Sequence, residues 1–183
     1  MKRWEPAWGT RFITFSCEDR LQLLGNPKVR DVVSECLRIA RARFGFRLYA
    51  WVIMPEHVHI LARPSESATL ERVLRALKIG SAQRVLTRWK ELDAPVLGRL
   101  QRADGGYRFW QKGGGFDRVV RDRAAFCKYV RYIHLNPVER GLVADPADWA
   151  WSSVRAWISG WSGGSMCDPP GDPAVWSRWK GFM

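Results

Sequence analysis

The chain has 183 residues, the length of one domain, and 46% of them are hydrophobic, which excludes wholesale disorder. Its longest apolar run, Leu48 to Met54, is seven residues, far below the ~20 that span a bilayer, and no apolar segment follows Met1-Lys-Arg-Trp-Glu-Pro6 as a secretory signal would require. Thirty basic residues against 18 acidic ones leave a net charge of +12, and 23 of the basic residues are Arg. The Arg fork of donors suits phosphate oxygens, so nucleic acid is the favoured polyanionic partner; a high-GC genome would also raise the Arg count. The expectation is a soluble cytoplasmic protein, nucleoid-associated, with no membrane partner.

Arg11-Phe-Ile-Thr-Phe-Ser16 is short, β-branched and aromatic, and predicts a strand. Leu24-Gly-Asn-Pro27 breaks it and opens a helix in which Val29, Val32, Val33, Cys36, Leu37, Ala40 and Phe44 recur at amphipathic spacing. Gly45 ends that helix. Phe46 to Met54 reads as a second strand, Pro55-Glu56 interrupts, and His57 to Ala62 alternates as a third. Thr69 to Leu92 predicts a long helix with Val73, Leu77, Val85 and Trp89 on one side. Leu100 to Gly115 is polar and Gly-rich, a loop or hairpin, and Phe116 to Val120 a fourth strand. Asp122 caps a further helix that runs to Asn136, where Pro137 should stop it. The order β-α-β-β-α-β-α is α+β with the split β-α-β order of a ferredoxin-like antiparallel sheet, helices on one face, and an extra C-terminal helix. Residues 1–157 form the expected domain and 158–183 an appended tail. The four Cys are scattered without a Cys-x-x-Cys pair, which argues against structural zinc and a disulfide framework.

The sharpest local signal is His57-Val58-His59. Residues two apart on a strand project from one face, so the two imidazoles can share one divalent ion. Glu56 is a possible further ligand, but on the strand it would point away from that face. On the last helix Tyr129, Tyr132 and Asn136 lie close to one face. A free tyrosine hydroxyl titrates near ~10 and is a poor nucleophile until its phenolate is stabilised. Packing of these tyrosines onto the sheet is the alternative. His134 falls on the far side of the helix and reads as structural or DNA-contacting.

Trp51-Val-Ile-Met-Pro-Glu-His-Val-His-Ile60 followed by Tyr132-Ile-His-Leu-Asn-Pro-Val-Glu-Arg-Gly-Leu-Val143 resembles the REP-associated tyrosine transposases, which are single-tyrosine HUH transposases. Arg108-Phe-Trp-Gln111 and Asp148-Trp-Ala-Trp-Ser-Ser153 resemble that family's pattern too, and the likeness covers roughly residues 10 to 157. The resemblance implies that His57 and His59 are the metal-binding pair, Tyr132 the nucleophile and Asn136 a third metal ligand. It implies cleavage and rejoining of single-stranded or hairpin DNA through a 5′-phosphotyrosine link that frees a 3′-hydroxyl. Mg²⁺ or Mn²⁺ fits such phosphoryl chemistry. Relatives that dimerise can place the Tyr helix on a partner's site while others act as monomers, so a homodimer stays open.

For DNA contacts the long helix offers Arg72, Arg75, Lys78, Arg84 and Arg88, and Arg118, Arg121, Arg123 and Arg131 surround the Tyr helix; each is also readable as a solvated charge. Lys2, Arg3, Trp4 and Trp8 are candidates for clamping a flanking strand. Gly113-Gly-Gly115 would either admit DNA backbone or form a flexible tip. The rival from another class is a non-catalytic nucleic-acid-binding module, which predicts Phe12, Phe15 and Trp51 aimed at bases; a relaxase or replication-initiator nickase would share the chemistry.

Overall fold

The computed structural model describes residues 9–113, 115–161, 166–171 and 175. Four strands, β1 (Arg11–Ser16), β2 (Arg47–Ile53), β3 (His57–Arg63) and β4 (Phe116–Val119), form one antiparallel sheet in the order β2-β3-β1-β4. Helices α1 (Pro27–Phe44) and α2 (Leu70–Glu91) follow β1 and β3, and the short α3 (Leu97–Leu100) precedes β4. After β4 come α4 (Arg123–Glu139) and α5 (Val154–Ser159). This is the expected ferredoxin-like α+β arrangement. Among the described residues no helix is long and apolar enough to cross a membrane.

The element boundaries have chemical causes. The Asn26 side chain accepts from the Lys28 N–H at 2.9 Å with Pro27 in the first helical position, and Gly45 ends α1 in the left-handed region at φ 61°. Thr69 caps α2 by accepting from Arg72 N–H, and Asp122 caps α4 by accepting from Ala125 N–H at 2.7 Å. The strands alternate. Ile13, Phe15, Val58, Ile60 and Ala62 share the α1–α2 side, each at most 3% exposed. Phe12, Thr14, His57 and His59 share the other side, where α4 packs.

Pro137 does not stop α4, contrary to the sequence expectation. The helix continues to Glu139, and Arg140 N–H still donates to the Asn136 carbonyl at 3.1 Å. A proline costs a helix one hydrogen bond and crowds the preceding turn. Two residues from the end, that cost is confined to a single turn, and the burial of Pro137 itself favours the continued helix.

The stretch before β4 is a tied loop. Gln101 bridges to Tyr107 and Cys17 to Trp110, and the Trp110 indole N–H donates to Ser81 Oγ at 3.1 Å. Lys78 Nζ donates to the carbonyls of Gln111 and Gly113, both at 2.9 Å. Gly115 then enters β4 at φ 75°, and any Cβ there would collide with the Thr14 carbonyl. The glycine is needed for β1 and β4 to meet.

The outer edge of β2 is covered by later chain. Ile53 N–H donates to Trp151 O at 2.9 Å, and Ser153 N–H donates to Trp51 O at 3.0 Å. The buried Trp157 donates to Tyr49 O at 2.8 Å. Further on, the Asp168 carboxylate accepts from Leu48 N–H and pairs with Arg41, both at 2.8 Å. The β4 edge has no such cover among the described residues.

Candidate active site

The turn Met54-Pro55-Glu56 delivers His57 as the first residue of β3, and strand alternation sends His57 and His59 to the α4 side. Their Nε2 atoms lie 2.9 Å apart. The opposite nitrogens are both held: His57 Nδ1 by the Glu56 carboxylate at 3.0 Å, and His59 Nδ1 by Thr14 Oγ1 at 2.7 Å. An ionised carboxylate only accepts, so His57 carries its proton on Nδ1 and turns the Nε2 lone pair towards the cleft. Burial pushes His59 down to about 3. His57 is lowered as well, burial outweighing the opposing pull of Glu56. Both imidazoles are therefore neutral at pH 7, the form that binds metals.

Glu56 does not stand with the ligands. Its carboxylate is buried behind His57, where Arg140 donates to it at 2.8 Å and Arg20 lies 3.8 Å away. Burial is the largest single influence and opposes its charge, but the hydrogen bonds and electrostatic pull of Arg140 and His57 together outweigh it and hold the carboxyl below its ordinary value. This arrangement, a carboxylate fixing a ring from the side opposite the lone pair, is the usual support of a metal-binding histidine.

Tyr132 and Asn136 come from α4, four residues apart and therefore one turn apart on one face. The Tyr132 ring is 40% exposed and stands edge-on to His59 with centroids 5.1 Å apart. Tyr129 instead lies flat on Phe12, centroids 4.3 Å apart and planes 8° from parallel. Asn136 is buried, and its Oδ1 has no hydrogen-bond partner among the described residues. Leaving such an oxygen bare costs ~1–3 kcal/mol, which points to a group that the amide would meet. His134, on the far side of α4, is buried with Nε2 2.8 Å from Ser153 Oγ and its ring against Trp157; its role is structural.

The residues fit a divalent ion. Two Nε2 atoms ~3 Å apart match adjacent positions around an octahedral ion with bonds of ~2.1 Å, and the bare Asn136 oxygen is a third donor in the same cleft. Among the described residues no three His, Cys, Asp or Glu side chains converge, so the candidate donors here are two imidazoles and an amide.

The cleft, about 720 Å³, brings His57, His59, Tyr132, Asn136 and Arg118 together with three cations that the sequence reading passed over: Arg20, Lys128 and Arg140. Lys128 is four residues before Tyr132, so helical spacing alone would find it. Arg140 lies inside the Asn-Pro-Val-Glu-Arg motif, hidden by the assumption that the helix ends before it. Arg20 sits in an isolated turn at φ 52°, for which periodicity carries no signal. Of the other expected DNA contacts, Arg72, Arg75 and Arg84 are exposed on α2, away from the cleft. Lys78 is half-buried and engaged with the loop carbonyls. Arg121 is exposed just before the Tyr helix and Arg131 exposed within it, with Arg123 partly buried in its first turn, and none of the three lines the cleft. Lys2, Arg3, Trp4 and Trp8 lie outside the described residues. Phe12, Phe15 and Trp51 are buried at 4%, 1% and 6%, so the platform of base-facing aromatics required by a purely binding module is not formed by them.

The family described as Transposase IS200 like matches residues 10–133. The REP-associated tyrosine transposase of Escherichia coli (strain K12) is 24% identical over 154 residues, covering 84% of this chain and 81% of that protein. A putative REP-associated tyrosine transposase of Haemophilus influenzae is 24% identical over 147 residues, 80% of each. A solved structure of a REP-associated tyrosine transposase bound to a REP hairpin shares the fold, with a TM-score of 0.63 at 22% identity over 92% of this chain and 93% of that one. Matched over more than half its length, the chain belongs to the Transposase IS200 like family and is a transposase enzyme.

Proposed function

We propose that the protein is a metal-dependent DNA strand transferase that cleaves and rejoins single-stranded or hairpin, REP-like DNA with Tyr132 as nucleophile. The observation that carries this reading is the exposed Tyr132 ring 5.1 Å from His59, above two imidazoles whose Nε2 atoms converge at 2.9 Å. The names of the similar transposases, which refer to REP sequences, support the choice of DNA.

Tyr132 Oη attacks the scissile phosphorus; the Oη–P bond forms, the P–O3′ bond breaks, and the tyrosyl proton is balanced by the one gained at the released 3′-hydroxyl. The product is a 5′-phosphotyrosine that conserves the phosphodiester, so a later 3′-hydroxyl reverses the step and rejoins the strand without a nucleotide energy source. His57, His59 and Asn136 would hold Mg²⁺ or Mn²⁺, which supplies positive charge to the phosphate oxygens. Glu56 and Thr14 keep the two rings aimed. Arg20, Arg118, Lys128 and Arg140 neutralise the strand in the cleft. Arg72, Arg75, Arg84, Arg121, Arg123 and Arg131 lie outside it and take the more distant phosphates of the hairpin, while Lys78 acts through the loop it holds. The transposase domain is residues 1–157, and of the appended segment 158–183 the described part packs back onto it, Asp168 holding Leu48 N–H and Arg41; the protein works on nucleoid DNA in the cytoplasm.

The test is a gel assay for a covalent protein–DNA adduct. Labelled single-stranded hairpins from the gene's own flanks are incubated with Mg²⁺ or Mn²⁺. Wild type and Tyr129→Phe should form the adduct and Tyr132→Phe should not. Loss only in Tyr129→Phe would reassign the nucleophile, and a wild type that binds the hairpin without any adduct would leave a binding module.

A further inference from the structure

Among the described residues nothing pairs with the outer edge of β4, and all four of its residues are exposed. In its register with β1, Phe116 sits opposite Thr14 and Arg118 opposite Phe12. Paired residues share a face, so both side chains stand on the side of the His pair and the Tyr helix. Asp117, on the other face, is paired with Arg11 at 2.7 Å.

Phe116 is 48% exposed although it lies at the mouth of a cleft floored by aromatic rings. It meets Phe12 edge-on at 6.0 Å, and Phe12 in turn carries Tyr129 flat on its face. The Arg118 guanidinium lies 5.1 Å from the Phe116 ring centre. Gly115 leads into this pair against the Thr14 carbonyl, where no Cβ would fit. A half-exposed aromatic ring with a cation over it, in a cleft also lined by Arg20, Lys128 and Arg140, suits one ligand chemistry in particular. A nucleobase has a flat face to stack and a phosphate to pair, and a chain of net charge +12 favours such a strand.

We propose that Phe116, assisted by Arg118, is a stacking platform for one unpaired nucleobase of the strand held in the cleft. The proposal rests on the DNA strand-transfer reading and adds to it a specificity element. Because every base has a π-face, the platform prefers unpaired over paired nucleotides and purines over pyrimidines, with no hydrogen-bond code.

Fluorescence anisotropy with two single-stranded probes of equal phosphate count tests it: an oligo-dA 12-mer and a 12-mer of abasic nucleotides. Wild type should bind oligo-dA more tightly than the abasic strand. Phe116→Leu, which keeps apolar bulk but removes the ring, should lose affinity for oligo-dA by about 5- to 140-fold and leave the abasic strand unchanged. Phe116→Trp should retain or improve oligo-dA binding, which also shows that the position tolerates substitution without unfolding. Arg118→Ala should weaken both probes. Equal oligo-dA affinity in wild type and Phe116→Leu, or equal losses on both probes, overturns the platform. A wild type that binds neither probe nor a hairpin from the gene's flanks contradicts the DNA reading itself, whereas binding of the hairpin but of neither probe, or tight binding of both probes alike, contradicts only the stacking.

Discussion

At the scale of single residues, the site depends on which nitrogen of each histidine carries a proton. Glu56 decides this for His57 and is itself held by Arg140 at 2.8 Å. Glu56→Ala should lower Mn²⁺ affinity by about 10- to 100-fold without unfolding the protein, as read by calorimetric titration and a melting curve; an unchanged affinity would remove Glu56 from the site. His134, on the side of α4 that faces Ser153 and Trp157, supplies a pH test. Burial lowers it to about 3, whereas the unfolded chain titrates near ~6.5. Between those values the unfolded state binds more protons, so stability is full above ~6.5 and falls as the solution is acidified towards 3, by up to ~1.4 kcal/mol per pH unit for one such group. His134→Gln should reduce the drop in urea midpoint between pH 7 and pH 5. The His pair itself was legible in the sequence because a strand has a strict period of two. Glu56 reads in the sequence as a possible ligand that would point away from their face, but its hold on His57 Nδ1 was not legible, since it precedes the strand in a turn where no period sets direction.

At the scale of elements, the caps were the legible part. Asn26-Pro27, Gly45, Thr69 and Asp122 start or stop their helices through local hydrogen bonds and backbone preference, and the expected boundaries agree with the structure to within a residue or two. Pro137 was misleading for the same local reason: proline chemistry argues for a stop, and tertiary burial of α4 overrules it over the last turn. The tied loop before β4 had no periodicity to read, and its order comes from distant partners such as Ser81 and Lys78. Its last residue makes a sharp prediction. Gly115→Ala places a methyl group against the Thr14 carbonyl at a positive φ, where strain alone costs ~1–3 kcal/mol. β4 should detach from β1, lowering the melting temperature and weakening DNA binding together. A variant that melts like wild type would show that the strand can shift at no cost.

At the scale of the whole molecule, charge and topology divide the labour. The sequence pattern announced a basic chain and a ferredoxin-like sheet, but composition could not say which of 23 arginines meets the site. That selection follows from which elements converge: Arg20 after β1, Arg118 on β4 and Arg140 beyond α4 arrive at one cleft, while the arginines of α2 remain outside it. The two sheet edges differ as well. β2 is covered by the chain around Trp151 and Asp168, whereas β4 has no such cover among the described residues. The convergence of β1, β3 and α4 has a genetic consequence. Tyr132 meets His59 of its own chain, ring centres 5.1 Å apart, so under the proposed reading each polypeptide is expected to act in cis. Mixing Tyr132→Phe protein with a His57→Ala, His59→Ala double variant should therefore restore no adduct, at any ratio of the two. Complementation between them would mean that the working site is shared by two chains. Without it, a cell carrying one intact and one defective copy keeps activity in proportion to the intact copy alone, with no poisoning of one chain by the other.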